Sequence, residues 1–152
     1  MGAHRLAVAR SATCLWPLCA HAVGRTTKII VLVGVLGNLI RFQLLQGQAH
    51  DMKSIARLIK GVSFDALLAD KAFDADWLLQ DLDERGATAV IPPKTNRKIQ
   101  RNYDAEVYKW RHLVENYFAK IKEFIGIATR YDKTDCSYAA CWNLVAALIA
   151  SR

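Results

Sequence analysis

The sequence predicts an α/β fold in which helices cover a mixed β-sheet. Short, β-branched apolar runs alternate with longer amphipathic stretches in the order β-β-α-β-α-β-α, a pattern typical of a layered domain of sheet and helices. The 152 residues fit a single domain of ordinary size. An apolar share of 53%, with only 8 glycines and 3 prolines, excludes a disordered or collagen-like chain.

The charge is strongly and unevenly positive. The chain carries 21 basic and 14 acidic residues, a net charge of +7. Such a surplus favours a polyanionic partner, either nucleic acid or an anionic membrane. Residues 1–50 contain no Asp or Glu. Any chemistry that depends on carboxylates must therefore come from residues 51–152.

Residues 1–24 have the least protein-like pattern. Basic residues precede an apolar stretch over residues 12–20, as in a signal peptide, but Pro17 interrupts that stretch. We interpret residues 1–24 as a non-native or disordered leader and keep a cleaved signal peptide as the alternative. The folded domain is then expected over residues 25–152.

The next elements follow from local patterns. Ile29–Val33 is short and β-branched, which favours a buried strand. Gly37-Asn38 has turn chemistry, and Leu39–Leu44 follows as the second strand of a hairpin. Asp51 is a plausible N-cap for a helix over residues 52–60.

The second half continues the alternation. Ala66–Ala69 predicts a short buried strand, Asp74 begins a helix with Trp77, Leu78 and Leu82 inside and Gly86 at its end, and Ala87–Ile91 predicts another strand. A long helix is predicted over Tyr103–Ile125. Its apolar stripe consists of Val107, Trp110, Val114, Tyr117, Phe118, Ile121 and Ile125.

Asp70 is the first candidate site residue. It ends the apolar run over Ala66–Ala69 and enters a loop, at the edge of the sheet where α/β proteins place their sites. An ordinary Asp that caps a loop would occupy the same position, so position alone leaves both interpretations open.

The predicted long helix supplies further candidates beside its apolar stripe. Tyr108, Arg111, Glu115 and Lys122 fall within an arc of about 60° on a helix that turns 100° per residue. The alternative is a solvated charged border, in which ion pairs contribute little to stability.

A basic loop separates the last predicted strand from this helix. Lys94, Arg97, Lys98 and Arg101 follow two prolines, and no acid interrupts them. Such a loop suits contacts with DNA phosphates, although a solvated basic loop has the same composition. The cysteine pairs Cys14/Cys19 and Cys136/Cys141 lack the spacing of a zinc site and are interpreted as free thiols.

Taken in order, these segments resemble bacterial insertion-sequence DDE transposases. The resemblance covers roughly residues 25–150, and the Tyr-Arg-Glu-Lys spacing is its most specific part. The matching pieces are Thr27-Lys28-Ile29, Gly47–Asp51, Leu68–Asp74, Ile91–Lys94 with Arg97-Lys98, Tyr108-x2-Arg111-x3-Glu115-x6-Lys122 and Ala128–Lys133.

The resemblance implies an RNase H-like mixed sheet flanked by helices, with two Mg²⁺ ions on an Asp-Asp-Glu triad. Asp70 then corresponds to the second aspartate and Glu115 to the glutamate, both catalytic and metal-binding. Two such ions activate the attacking hydroxyl and stabilise the leaving oxygen at a phosphodiester. Tyr108, Arg111 and Lys122 would meet DNA phosphates, together with the basic loop.

The sequence departs from the family at the first aspartate, which belongs to a strand upstream of Thr27. The corresponding region contains no carboxylate, so we expect the first strand to be missing or degenerate, as in a transposase shortened at its N-terminus. The predicted function is DNA transposition by family, with this chain an inactive copy. The alternative is a basic DNA-binding remnant that modulates an intact transposase.

The expected partners are the DNA ends of an insertion sequence, with a second copy or an intact transposase as a protein partner. No membrane partner is expected, and the predicted location is the cytoplasm.

Overall fold

The computed structural model describes residues 6–14, 27–46, 51–97 and 100–151, and it places a five-stranded sheet between two layers of helices. The strands are β1 (Leu6–Cys14), β2 (Thr27–Gly34), β3 (Leu39–Gln46), β4 (Ala66–Ala69) and β5 (Thr88–Val90). The helices are α1 (Asp51–Ile59), α2 (Asp76–Glu84), α3 (Ala105–Tyr108), α4 (His112–Lys122), α5 (Ile125–Thr129) and α6 (Asp135–Ala150). Two 3-10 turns, Lys71–Phe73 and Lys109–Arg111, precede α2 and α4.

The sheet is mixed, and its strand order is β3-β2-β1-β4-β5. β1 pairs antiparallel with β2 and parallel with β4, and β4 pairs parallel with β5. The predicted class, a mixed sheet flanked by helices, is confirmed. The carboxyl ends of β1 and β4 therefore meet at one edge of the sheet, the position at which α/β folds place their sites.

The hairpin of β2 and β3 forms where the sequence predicts it. Residues Ile29–Val33 are all buried, as expected for a strand near the centre of a sheet covered on both faces. Gly37 has φ +75°, a left-handed conformation that glycine adopts without steric cost, and its N–H donates to the Gly34 carbonyl at 2.9 Å. The predicted turn at Gly37-Asn38 is thus confirmed.

Nine of the residues 1–24, which the sequence predicts to be a non-native or disordered leader, form a strand. Leu6–Cys14 forms β1, the middle strand of the sheet, and Ala7, Val8 and Ala9 are fully buried. Small apolar side chains fit between two helical layers, and pairing with both β2 and β4 satisfies the backbone of the strand. The first strand of the sheet, predicted to be missing or degenerate, is present, and it contains no Asp or Glu. The remaining residues of the predicted leader, including Cys19, lie outside the described residues.

Two apolar layers flank the sheet. Alternate residues of β2 point to opposite faces, so Ile30 and Leu32 face α1 and α2, while Val31 and Val33 face α4 and α6. Trp142 of α6 is fully buried in the second layer and stacks on Phe42 of β3 at 5.4 Å between ring centroids. Within the described residues, no helix is long and apolar enough to cross a membrane.

The helix after Asp74 differs from its prediction in two ways. α2 begins at Asp76, and Trp77 is 42% exposed, whereas Leu78 and Leu82 are fully buried as predicted. Leu78 and Leu82 lie about 40° apart on the helix, and Trp77 lies about 100° away from Leu78 on the outer side. The prediction that Trp77 is inside is therefore wrong.

The predicted single helix over Tyr103–Ile125 is interrupted. It comprises α3, the 3-10 turn Lys109–Arg111 and α4, and Phe124 has extended backbone angles before α5 begins. A 3-10 turn has three residues per turn rather than 3.6, so it shifts the phase of the apolar stripe. Trp110, which lies in this turn, and Ile125, which follows the extended Phe124, are exposed. Val114, Tyr117, Phe118 and Ile121 of α4 are buried as predicted.

Candidate active site

Two carboxylates from separate elements converge on one arginine. Asp70 directly follows β4, Arg111 is the last residue of the 3-10 turn before α4, and Glu115 lies in the first turn of α4. Nη1 of Arg111 is 2.9 Å from Oδ1 of Asp70, and Nη2 is 2.8 Å from Oε1 of Glu115. Because one planar guanidinium contacts both carboxylates, the two contacting oxygens lie within about 8 Å of each other.

The local fold explains this convergence. Arg111 and Glu115 are four residues apart along continuous helical backbone, so their side chains lie on the same side. The 3-10 turn Lys109–Arg111 also contacts β4, which brings Arg111 to the end of that strand and to Asp70. The two side chains that the sequence singles out, Asp70 and Glu115, therefore share one site at the edge of the sheet.

Tyr108 supports Arg111 and reaches the same carboxylate. The guanidinium carbon of Arg111 lies 5.7 Å from the centroid of the Tyr108 ring, within the range of a cation–π contact. The Tyr108 hydroxyl donates to Oδ1 of Asp70 over 3.4 Å. Burial raises the pKa of Tyr108 above its ordinary value, and the Asp70 carboxylate raises it further against the opposing effect of Arg111. The phenol therefore stays protonated and remains a donor near neutral pH.

Lys122 stands apart from these contacts. It is exposed at the end of α4, two turns beyond Glu115, and within the described part of the chain it forms no ion pair. Lys71, the residue after Asp70, is likewise exposed and without an ion pair among the described residues. Both ammonium groups are thus available to an external anion.

β1 supplies no third carboxylate beside Asp70. The parallel register pairs Ala9 with Ala69, the residue before Asp70, and none of the residues of β1 is an Asp or a Glu. In the part of the chain that the structure describes, no group of three His, Cys, Asp or Glu residues could hold a metal ion. Two Mg²⁺ ions need several oxygen ligands from separate elements, and the two carboxylates present are already bound to a cation. The residues do not fit the metal pair that the resemblance implies.

A second charged cluster surrounds Asp74, which the sequence did not single out. The Asp74 side chain has no exposed surface. It accepts hydrogen bonds from the backbone N–H of Lys94 at 2.8 Å, from Nε of Arg97 at 2.6 Å and from Nη2 of Arg101 at 2.8 Å. Arg97 also binds Asp76 through Nη2 at 2.6 Å. All three donors to Asp74 come from the loop between β5 and α3.

The Asp74 cluster changes the interpretation of the predicted basic loop. Two arginines are balanced by two aspartates, so Arg97 and Arg101 add no net positive charge to the surface around them. Burial by itself would raise the pKa of Asp74, but the Lys94 N–H and the two guanidinium groups hold that pKa below its ordinary value. The contacts favour a structural role for Arg97 and Arg101 over phosphate binding. Lys98 lies outside the described residues.

Sequence reasoning missed Asp74 because its partners are distant along the chain. Twenty to twenty-seven residues separate it from the donors, and no periodic pattern links an acid with bases at such a distance. One signal was present in the sequence. A second acid, Asp74, follows Asp70, and an acid-free basic loop comes later in the chain, at residues 94–101. Opposite charges on segments that leave neighbouring strands at the same sheet edge are candidates for pairing.

Comparison with known proteins identifies a family and a relative that match most of the chain. The family model described as "Transposase DDE domain" matches residues 25–133. A "Putative transposase for insertion sequence element IS6501" from Brucella ovis is 31% identical over 126 residues, which are 82% of this chain and 97% of that protein.

A solved structure shows the same fold. The catalytic core domain of BIV integrase superposes with a TM-score of 0.59 at 17% identity, covering 95% of this chain and 82% of that chain. The piggyBac transposase, in a synaptic complex with hairpin DNA, gives a TM-score of 0.45 at 15% identity, covering 61% of this chain and 24% of that one. The first of these matches identifies the sheet and its helices as the fold of an integrase catalytic core.

Proposed function

The chain belongs to the DDE transposase family of bacterial insertion sequences, whose members act in DNA transposition, and from this premise we propose that it binds DNA without cleaving it. One observation carries the proposal. Ala9 of β1 pairs with Ala69, the residue before Asp70, and β1 contains no carboxylate at all. Cleavage by two metal ions needs a ligand set that fixes both ions for in-line attack. Asp70 and Glu115 alone do not supply it.

The proposed DNA contacts come from cations without an internal partner. Lys71 and Lys122 flank the carboxylates in sequence, and Lys94 opens the loop beside Asp74; in the described part of the chain none of their ammonium groups is paired. Each lysine that neutralises a phosphate releases a counterion, which makes binding strongly dependent on salt. Contacts of this kind position a protein on DNA without reading its sequence.

Equilibrium binding and cleavage can be measured in the same reaction. We expect the purified chain to bind a fluorescent duplex of arbitrary sequence, with an affinity that falls steeply as salt rises, and to leave the duplex intact in Mg²⁺ or Mn²⁺. A Lys71→Gln/Lys122→Gln variant should bind with a flatter salt dependence. An affinity that does not change with salt would contradict the proposed DNA binding, and cleavage that requires metal would contradict the proposed inactivity.

The natural DNA partner is proposed to be the ends of an insertion sequence in the bacterial cytoplasm. A chain that binds these ends without cutting them competes with an intact transposase. The test adds this chain to an active relative and its substrate DNA and measures cleavage. Inhibition that weakens as substrate increases supports competition for DNA, whereas inhibition independent of substrate concentration indicates direct pairing of the two proteins.

A further inference from the structure

We propose that Arg111 is the resident cation of the Asp70–Glu115 pair and that it closes this pair to divalent metal ions. The inference concerns the site of the proposed function and rests on its premise that the site does not use a metal pair. Each terminal nitrogen of the guanidinium contacts a different carboxylate, at 2.9 and 2.8 Å. The cation thus lies between the two groups, where an external ion that bridged them would have to bind.

Charge explains why an internal cation is needed. Asp70 and Glu115 come from different elements, and without compensation their like charges at this separation would repel each other. Arginine stays protonated at every physiological pH, and its planar fork presents two parallel donors to carboxylate oxygens. With Arg111 in place the three groups carry a net charge of −1, whereas the carboxylates alone would carry −2.

The guanidinium is also held in position before any ion arrives. The Tyr108 ring lies 5.7 Å from its central carbon, and Tyr103 packs edge-on against Tyr108 with ring centroids 5.5 Å apart. Oδ1 of Asp70 accepts hydrogen bonds from both Arg111 and Tyr108, so the oxygen that contacts the guanidinium already has two donors. A tethered cation acts at high effective concentration, against which Mg²⁺ or Mn²⁺ in solution must compete.

The closing experiment measures Mn²⁺ binding in the absence of DNA, by electron paramagnetic resonance and by calorimetry. Wild-type protein should show no stoichiometric binding up to about 1 mM Mn²⁺, and Arg111→Gln should raise the affinity by at least about ten-fold. Adding Glu115→Gln to Arg111→Gln should abolish the gain. Arg111→Lys, which keeps the positive charge, should resemble the wild type.

Arg130→Gln is the matched control. Arg130 pairs with Asp135 and lies over the Tyr138 ring at 4.9 Å, so it combines the same two kinds of contact outside this site. Its replacement should leave Mn²⁺ binding unchanged. A circular dichroism spectrum of each variant identifies any that fails to fold, and the wild-type titration does not depend on any substitution.

Several outcomes overturn the inference. Wild-type protein that binds Mn²⁺ below about 1 mM and loses this binding in Asp70→Asn contradicts it, as does a folded Arg111→Gln variant without any gain in affinity. Wild-type protein that binds Mn²⁺ but leaves DNA intact refutes the role of Arg111 while the proposed function stands. Cleavage of DNA by the wild type refutes the proposed function instead.

Discussion

Asp74 shows how a single carboxylate can order a loop. Its buried side chain accepts one backbone and two guanidinium donors, all from residues 94–101, and so joins the end of β4 to the segment that follows β5. A buried charge is tolerated only when it is paired and hydrogen-bonded, and this carboxylate meets both conditions. Loss of the charge would leave two arginines without their partner.

Replacing Asp74 by Asn should lower the free energy of unfolding by about 3 kcal/mol at pH 7, since one member of a buried ion-pair cluster is removed. The matched control is Asp76→Asn, because the Asp76 carboxylate contacts the same Arg97 but is 88% exposed. We expect little change in that variant. Urea denaturation of the three proteins measures the difference, and equal losses in the two variants would contradict the special role of burial.

The lowered pKa of Asp74 also predicts the direction of a pH effect. In the unfolded chain the carboxyl titrates near its ordinary pKa of about 3.9, and in the folded protein it titrates lower. The unfolded state therefore binds the proton first as the pH falls. The stabilisation is complete above about pH 5 and is lost as the pH falls through the folded pKa. Denaturation from pH 7 to pH 3 should show a steeper acid loss in wild type than in Asp74→Asn, and parallel curves would refute this.

At the level of secondary-structure elements, β1 is the decisive strand. It lies between β2 and β4, and the interpretation of residues 1–24 as a leader predicts no structural role for it. Placing Val8→Asp in its fully buried centre puts an unpaired charge into the core, which costs several kcal/mol. We expect this variant to unfold or to lose most of its stability in urea. Leu36→Asp, at a position 86% exposed, is the control and should behave like wild type; equal stability of both variants would favour the leader.

The loop between β5 and α3 gives a prediction about DNA binding. Because Arg97 and Arg101 are bound to aspartates, replacing either by Gln should leave the slope of log affinity against log salt unchanged. Lys94→Gln and Lys122→Gln should each flatten that slope by about 0.9, the effect of one lost phosphate contact. Fluorescence anisotropy over a range of salt concentrations measures it. A slope that flattens as much in Arg97→Gln as in Lys122→Gln would show that the arginine reaches phosphate.

The elements that could be predicted are those with a local pattern. β2 to β5, α1 and α2 follow from runs of apolar residues and from turn residues such as Gly37, which depend only on near neighbours along the chain. β1 could not be predicted, because its identity depends on pairing with β2 and β4. The break in the predicted helix over Tyr103–Ile125 could not be predicted either. A 3-10 turn has the same kind of amino-acid composition as an α-helix, although it changes the phase of the apolar stripe.

For the candidate site, position and family resemblance single out Asp70, Arg111 and Glu115 in the sequence. The sequence does not predict how these three side chains contact one another. Sequence spacing places Arg111 beside Glu115 on one side of a helix, but the contact between Arg111 and Asp70 joins residues 41 positions apart. The pairing of Asp74 with the basic loop could not be predicted for the same reason, because the partners are far apart along the chain. Contacts between elements therefore required the folded structure.

The molecule as a whole combines the fold of an integrase catalytic core with a site at which, among the described residues, no group of three His, Cys, Asp or Glu could hold a metal ion. The fold is similar to that of the BIV integrase catalytic core, and the chain belongs to the DDE transposase family. At the carboxyl edge of the sheet, however, β1 contributes no carboxylate, and Arg111 binds both Asp70 and Glu115. Fold and family do not by themselves determine whether the protein cleaves DNA, because cleavage depends on the side chains at the carboxyl edge of the sheet.

Nicking of a supercoiled plasmid tests most directly the proposal that this chain does not cleave DNA. The purified 152-residue chain is incubated with plasmid in Mg²⁺ or Mn²⁺, with Asp70→Asn as the matched variant. We expect both proteins to leave the plasmid supercoiled, because the ligand set cannot fix two ions for in-line attack. Nicking that requires the metal ion, occurs with the wild type and disappears in Asp70→Asn would show that two carboxylates suffice and would contradict the proposed inactivity.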